Sequence, residues 1–181
     1  GISLSALLQV LVPEGFFIPV TPGSRFVTVG GMIANDVHGK NHAAAGTIGR
    51  WVKRLGLRRS DGTDLTLSPG DPSGLFEATI GGLGLTGIIT WAEVGLEPID
   101  SGFMLVEDFG FSSLDQYFEL MEQSRDWPHR VAWIDCTSPG RGVFSRARHG
   151  DDGRLLAHTD KAKARLPMDA PGFALNPLSL K

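Results

Sequence analysis

Leu4, Leu7, Leu8 and Leu11 fall at the i, i+3, i+4, i+7 spacing of one helical face, and Pro13 and Gly15 end the pattern. The next stretch, "FFIPVTPGSRFVTVGG", reads as extended chain with a Pro22-Gly23 turn and a short strand at Phe26 to Val29. Polar and apolar positions alternate through "GRWVKRLGLRRSDGTDLTL" on both sides of Asp61-Gly62, a strong turn dipeptide, which predicts a hairpin. Ser73 to Thr79 suits a short helix, and Ile88 to Val94 is a β-rich run.

The texture changes near Glu97 to Ser101, where Pro98 closes one strand and "FMLVEDFGF" starts another. A domain boundary is expected there, dividing 1–98 from 99–181. Ser113 with Gln116 three residues later is a capping-box signature, and Leu114, Phe118 and Met121 carry one face of a helix through about Ser124. Strands are expected at His129 to Cys136 and Gly142 to Arg148. The tail from Asp151 is polar, then proline-rich, and reads as loop and as an unfinished domain. Helices and strands mixed in this way, without an internal repeat, predict an α+β chain.

Composition narrows the function. Of 181 residues, 41% are hydrophobic and 20% charged, which describes an ordinary globular protein. The net charge of −3 argues against a broad polyanion-binding surface, although Lys53, Arg54, Arg58 and Arg59 form a local basic patch, so nucleic acid is not an expected partner. A single cysteine, Cys136, excludes a disulfide framework and a multi-cysteine zinc site; in "RVAWIDC" it is expected to be a buried, inert thiol. No apolar run reaches the ~18 residues of a membrane span, and "ISLSALLQVL" has no basic leader or cleavage site. Cytoplasmic and membrane-associated settings both stay open. There is no initiator methionine, so the chain is expected to begin partway through a larger protein.

Candidate chemistry concentrates in two glycine-rich stretches. In "VTVGGMIANDVHGKNH", paired glycines after a strand would let the backbone approach a ligand closely, and a helix starting beyond them would present free N–H groups to a phosphate. A tight turn is the equal alternative. "GLGLTG", Gly82 to Gly87, matches G-x-G-x-x-G, but a helix-like "LFEATIG" precedes it and a strand-like "IITWAEV" follows. That order is the reverse of a Rossmann fingerprint, so the glycines are expected to form a helix-to-strand turn, one that could lie against a flat ligand. His38 and His42 would share a helical face, but Gly39 weakens a helix, Lys40 repels a divalent cation and no third ligand is evident. No metal is expected. A histidine able to handle hydrogen bonds beside a lysine able to hold an anion or a substrate oxygen remains, against the alternative of histidines that merely cap a turn.

Taken together, "LLQVLVPEGFFIPVTPGSRFVTVGGMIANDVHGKNHAAAGTIGRWV" and "GLFEATIGGLGLTGIIT" resemble the FAD-linked oxidases of the vanillyl-alcohol oxidase superfamily. Within it, "DVHGKNHAAAGTIG" with "GGLGLTGII" is most similar to the branch that oxidises a lipid-linked pentose in cell-wall synthesis. The likeness is close from about Leu4 to Ile99 and thinner through "RVAWIDC" and "GRGVFSRAR". It implies the second subdomain of a PCMH-type FAD-binding domain, a mixed or antiparallel sheet with flanking helices, followed by the start of a substrate (cap) domain. The pyrophosphate loop of the family's first subdomain does not occur in this sequence.

The resemblance implies that FAD is lined by Gly23, Thr28, Val29, Gly30, Gly31, Asn35, Asp36, Val37 and His38, with a backbone contact at Ile89. It places His38 and Lys40 beside the substrate side of the flavin and Trp133 on an aromatic wall of the pocket. The implied reaction oxidises a secondary alcohol of a sugar or lipid-linked sugar to a ketone, with Lys40 anchoring substrate oxygens and His38 handling the proton. A partner reductase is implied as well. An aldonolactone or alditol oxidase of the same superfamily is the nearest alternative, and a non-catalytic scaffold with this fold is the alternative from another class. These residues alone would leave one side of the flavin unclosed, so weak FAD affinity, no turnover and homodimerisation through exposed apolar surface are expected of them.

Overall fold

The computed structural model describes residues 1–156. The first helix, α1 (Leu4–Leu11), starts where the Ser3 side chain accepts a hydrogen bond from the Ala6 N–H, and it buries Leu4. A 3-10 turn with Gly15 in the left-handed region leads into the two-residue strand β1 (Phe16–Phe17). Two short helices follow, α2 (Val29–Ala34) and α3 (His42–Ala45). The expected hairpin is present as β2 (Val52–Arg58) and β3 (Asp64–Leu67), in register from Leu55 opposite Leu67 to Arg58 opposite Asp64. After α4 (Leu75–Thr79), β4 (Ile88–Val94) pairs with the other edge of β2.

Three antiparallel sheets result among the described residues. β3-β2-β4 is the first, and β1 pairs with β5 (Glu97–Pro98) as the second. The third has the order β6-β8-β7, from β6 (Met104–Phe111), the helix α5 (Leu114–Gln123), β7 (His129–Ile134) and β8 (Gly142–His149). The chain is α+β, with antiparallel sheets flanked by few and short helices. The main core lies in the first hundred residues: Ile18, Val20, Met32, Ile33, Ile48 and Leu55 are sealed from solvent at the junction of α1, α2 and the first sheet.

Register divides the third sheet into two faces. Glu107, Arg146 and Arg130 lie in one cross-strand row, and Phe109, Phe144 and Ala132 in the next. α5 covers this face, with Tyr117 against Phe111 and Phe144. The helix is capped as its sequence implies: Ser113 accepts from Gln116 N–H, and the Gln116 side chain reaches back to the N–H of Ser112. The opposite face carries Met104, Val106, His129, Val131, Trp133 and Ala147.

Two expectations are corrected. Phe26 to Val29 is not a strand, because Thr28 caps α2 by accepting from Gly31 N–H, Val29 already belongs to the helix, and only a single bridge joins Thr28 to Ser3. Cys136 is exposed rather than buried, because β7 ends at Ile134 and Asp135 turns the chain by accepting hydrogen bonds from Thr137. The expected proline-rich tail lies, from residue 157 on, outside the described residues. The local basic patch is largely neutralised: Arg54 pairs with Glu93 and Arg58 with Asp64.

Burial sets the stability expected of each region. Leu55 is fully enclosed, so Leu55→Ala should cost about 2–5 kcal/mol in chemical denaturation. Trp133, 73% exposed, should change stability by no more than about 0.5 kcal/mol when replaced by alanine.

Candidate active site

The Gly-Gly stretch forms the first turn of α2, and its two glycines have different reasons to be glycine. A Cβ on Gly31 would stand 3.0 Å from the Thr28 hydroxyl that caps the helix, so residue 31 is constrained by the cap. A Cβ on Gly30 would meet nothing within 4 Å, and neither would one on Gly23. Gly30 is helical, where glycine is less stable than alanine. The fold itself therefore gives no reason for glycine at residue 30, and an open surface there suits a ligand that must lie against the backbone.

Beyond α2 the chain turns sharply. Asn35 donates from its side chain to the Gly31 carbonyl at 2.8 Å, and Asp36 adopts a left-handed conformation with φ 42°. Its carboxylate accepts from Gly49 N–H at 2.9 Å, and Ile48 N–H donates to the Val37 carbonyl. The second glycine-rich stretch docks on the same helix: Gly81 and Leu83 N–H donate to the carbonyls of Ile33 and Ala34. It is the helix-to-strand turn expected from the sequence, and it leaves Leu83, Leu85 and Ile88 exposed beside α2. Ile89 sits in β4 opposite Leu57 and packs against the core.

His38 forms one bridge with Thr47, and its ring meets His42 edge-on at 5.3 Å. This is a pair without a third donor; among the described residues there is no group of three or more His, Cys, Asp or Glu able to hold a metal ion. Gly39 passes so close to Thr21 that a Cβ would lie 2.6 Å from its carbonyl oxygen, and buried Asn41 donates to the Pro19 carbonyl. These two contacts fix the Lys40 backbone, whose carbonyl accepts from Arg130 N–H at 2.9 Å. That bond joins the His38–His42 segment to β7.

Between them lies a cleft of about 330 Å³. Phe17, Thr21 and Lys40 form one wall, and the open face of the third sheet forms the other. Along β7 the lining runs from His129 through Val131 to Trp133, a span of about 13 Å. Lys40 and His129 stand at one end, with Val106 of β6 level with His129 and Met104 beyond it, and the other end is formed by the exposed Trp133. Larger hollows, of about 540 and 530 Å³, flank α5 on the other side of the sheet, away from Lys40.

Lys40 and Trp133 are thus brought together, whereas His38 does not line the cleft. His129 and Arg130 line it and were not expected from the sequence. The signal was present in β7, since residues two apart share a face and His129 stands four before Trp133. His129 is held below the usual histidine range, first by burial, then by the His149 and Lys40 charges, with the Ala147 carbonyl acting in the opposite sense. His149 donates from Nδ1 to the Ser101 carbonyl at 2.9 Å, and its ring packs edge-on against Phe17. Glu97, close to His149, is raised above the usual carboxylate range by burial, which the His149 charge opposes.

Comparison with known proteins gives these features a family. The FAD binding domain family matches residues 1–68. Decaprenylphosphoryl-beta-D-ribose oxidase of Mycolicibacterium smegmatis is 36% identical over 180 residues, which is 96% of this chain and 38% of that protein. The chain belongs to the FAD-linked oxidase superfamily. A Streptomyces coelicolor protein described as an uncharacterized protein in the mprA 5′ region is 34% identical over 174 residues, 93% of this chain and 46% of that one. The chain therefore spans less than half the length of both relatives.

FAD is the cofactor of this superfamily, and the residues present fit it. The bare surface at Gly30 and Gly23 admits a close ligand, and exposed Leu83, Leu85 and Ile88 supply apolar area beside it. In the complete reading frame, Gly30→Ala should raise the stability of the FAD-free protein by about 0.5–1 kcal/mol while weakening FAD retention through gel filtration. Gly39→Ala should instead lower the melting temperature, because its Cβ has no room beside Thr21.

His129 also makes stability depend on pH. Its native pKa lies below its unfolded value, so as pH falls through the usual histidine range the unfolded chain takes up the proton first. The contribution is present above that range and is lost below it. Denaturation midpoints taken between about pH 7 and pH 5 should fall more steeply for the native sequence than for His129→Gln.

Proposed function

We propose that this chain contributes the substrate-facing wall of an FAD-dependent oxidoreductase that oxidises a secondary alcohol of a sugar, or of a lipid-linked sugar, to a ketone. The observation that carries this reading is the two-ended cleft: Lys40, beside the flavin-fold residues, stands over a sheet face that runs to Trp133. A sugar with its oxygens at Lys40 and an apolar substituent toward Trp133 matches both ends. Residues 1–98 would hold the flavin and residues 99–156 would shape the pocket. The name of the Mycolicibacterium relative, a decaprenylphosphoryl-ribose oxidase, supports a substrate of this kind.

When bound, FAD would supply the two-electron oxidant for the carbinol carbon. The work of this chain is position and charge. Gly23 and Gly30 would let the backbone lie against the cofactor, with Thr28, Val29, Gly31, Asn35, Asp36, Val37, His38 and Ile89 shaping that surface. Lys40 would hold a substrate oxygen by a charge-assisted hydrogen bond. Trp133 would cover the apolar part of the substrate and exclude water.

The test uses the complete reading frame, loaded with FAD and mixed without oxygen with a polyprenyl-phosphoryl pentose, an alditol or an aldonolactone. The lipid-linked sugar should bleach the flavin, and Lys40→Ala should raise its half-saturating concentration about 10- to 100-fold, as loss of a hydrogen bond to a charged group implies. Bleaching by the alditol or lactone alone would reassign the substrate. No bleaching by any of them, in a protein whose flavin dithionite still reduces, would overturn the reading.

A further inference from the structure

We propose that His129 is the proton acceptor of the cleft, taking the substrate hydroxyl proton at Nε2, with His149 behind it as a positioning residue. This rests on the alcohol-oxidising reading above and deepens it. That reaction needs a group to receive the hydroxyl proton, and of the two candidates first drawn from the sequence Lys40 is a cation in its anchoring role and His38 lies outside the lining of the cleft.

Geometry selects the nitrogen. His129 lines the cleft, yet its Nδ1 is enclosed and, among the described residues, has no hydrogen-bond partner of good geometry. The ring edge that remains for a ligand is the one bearing Nε2. His129 lies directly across the strand pair from Ala147, whose carbonyl acts on the ring. A nitrogen enclosed near a carbonyl is best accommodated as N–H, and that tautomer leaves the Nε2 lone pair to accept. The same row of the sheet places Val106 and Ala147 around the ring, so the imidazole stands between apolar neighbours at the Lys40 end of the cleft.

Burial first, and then the surrounding charges, disfavour a proton on the ring. His149, on β8, meets His129 edge-on at 6.2 Å, and Lys40 faces it from the segment before α3; both oppose a proton on His129. Arg130 follows on the same strand, and its Nε is likewise enclosed. Glu97, on β5, lies near this pair, and the His149 charge acts on it against the effect of its burial. His149 is held in place by Ser101 and Phe17.

The step balances without a further reactant. The substrate O–H bond breaks and its proton passes to Nε2, while the O–H electron pair closes the carbonyl. The carbinol C–H bond breaks with its electron pair leaving as hydride, the two-electron oxidation that FAD would supply when bound. His129 returns the proton to solvent.

The test is the pH dependence of flavin reduction by the alcohol substrate in the FAD-loaded, complete protein, with dithionite reduction confirming that each variant holds flavin. In the native protein the rate should rise with pH as His129 loses its proton. His129→Gln, close in shape, should be slower by roughly 100-fold and lose that limb, with half-saturation little changed. Added imidazole should restore part of the rate of His129→Ala. His149→Phe should move the limb to higher pH, since one opposing charge is gone. An unchanged rate and limb in His129→Gln would overturn the inference and leave the alcohol-oxidising reading standing. A native protein reduced by dithionite but by no alcohol would overturn that reading, and the inference with it.

Discussion

One backbone hydrogen bond holds the candidate site together. Arg130 N–H reaches the Lys40 carbonyl at 2.9 Å, and through it the first residues of β7 are registered against the segment that carries His38, Lys40 and His42. The cleft lies between these two pieces of chain, which the bond ties together beside Lys40. Gly39 and Asn41 prepare the acceptor, one by fitting under Thr21 and the other by bonding Pro19, so that Lys40 is presented by backbone geometry rather than by the packing of its own exposed side chain. A flexible lysine on a fixed backbone suits a group that must follow substrate oxygens while staying near one position.

A second constraint operates at Asp36. A non-glycine residue in the left-handed region costs of order 1–3 kcal/mol and persists where surrounding structure enforces it. Here the Asp36 carboxylate binds Gly49 N–H, and the neighbouring Val37 carbonyl receives Ile48 N–H. The turn after α2 is thereby tied to the entry of the first sheet. The loop from Gly81 to Leu83 closes the same helix from the other side through Ile33 and Ala34. The two glycine-rich stretches, far apart in sequence, are in this way parts of one surface built around a six-residue helix that is too short to be stable alone.

Much of this was legible in the sequence, and the gaps have physical causes. The hairpin around Asp61-Gly62, the cap at Ser113 and the helix at Leu4 follow from local signals, a turn dipeptide, a capping box and a clean 3.6-residue period. Phe26 to Val29 misled because β-branched residues favour strands only when a neighbour is there to pair, and a threonine cap with two small residues after it forms a helix instead. Cys136 misled because an apolar run does not mark its own end, whereas Asp135 did. At the site, Lys40 and Trp133 came from motif resemblance. His129 has no motif; its position depends on the register of β7 against β8, which is a long-range property.

The two faces of the third sheet explain why so exposed a tryptophan can stand in a defined place. On the covered face Arg146 pairs with Glu107 at 2.5 Å and lies over both Phe109 and Trp127, while Arg148 stacks on Trp127 from the next position along the face. Phe144 is sealed among Tyr117 and Phe111. These contacts fix the strands from behind, so the front face needs no core of its own and can keep Val106, Val143 and Trp133 open to solvent. An open apolar strip on a sheet held rigid from its other side is costly to maintain unless something covers it. In the reading advanced for this chain, that cover is the apolar part of the substrate, and the basic, imidazole-bearing end of the same face is where its oxygens meet the chemistry.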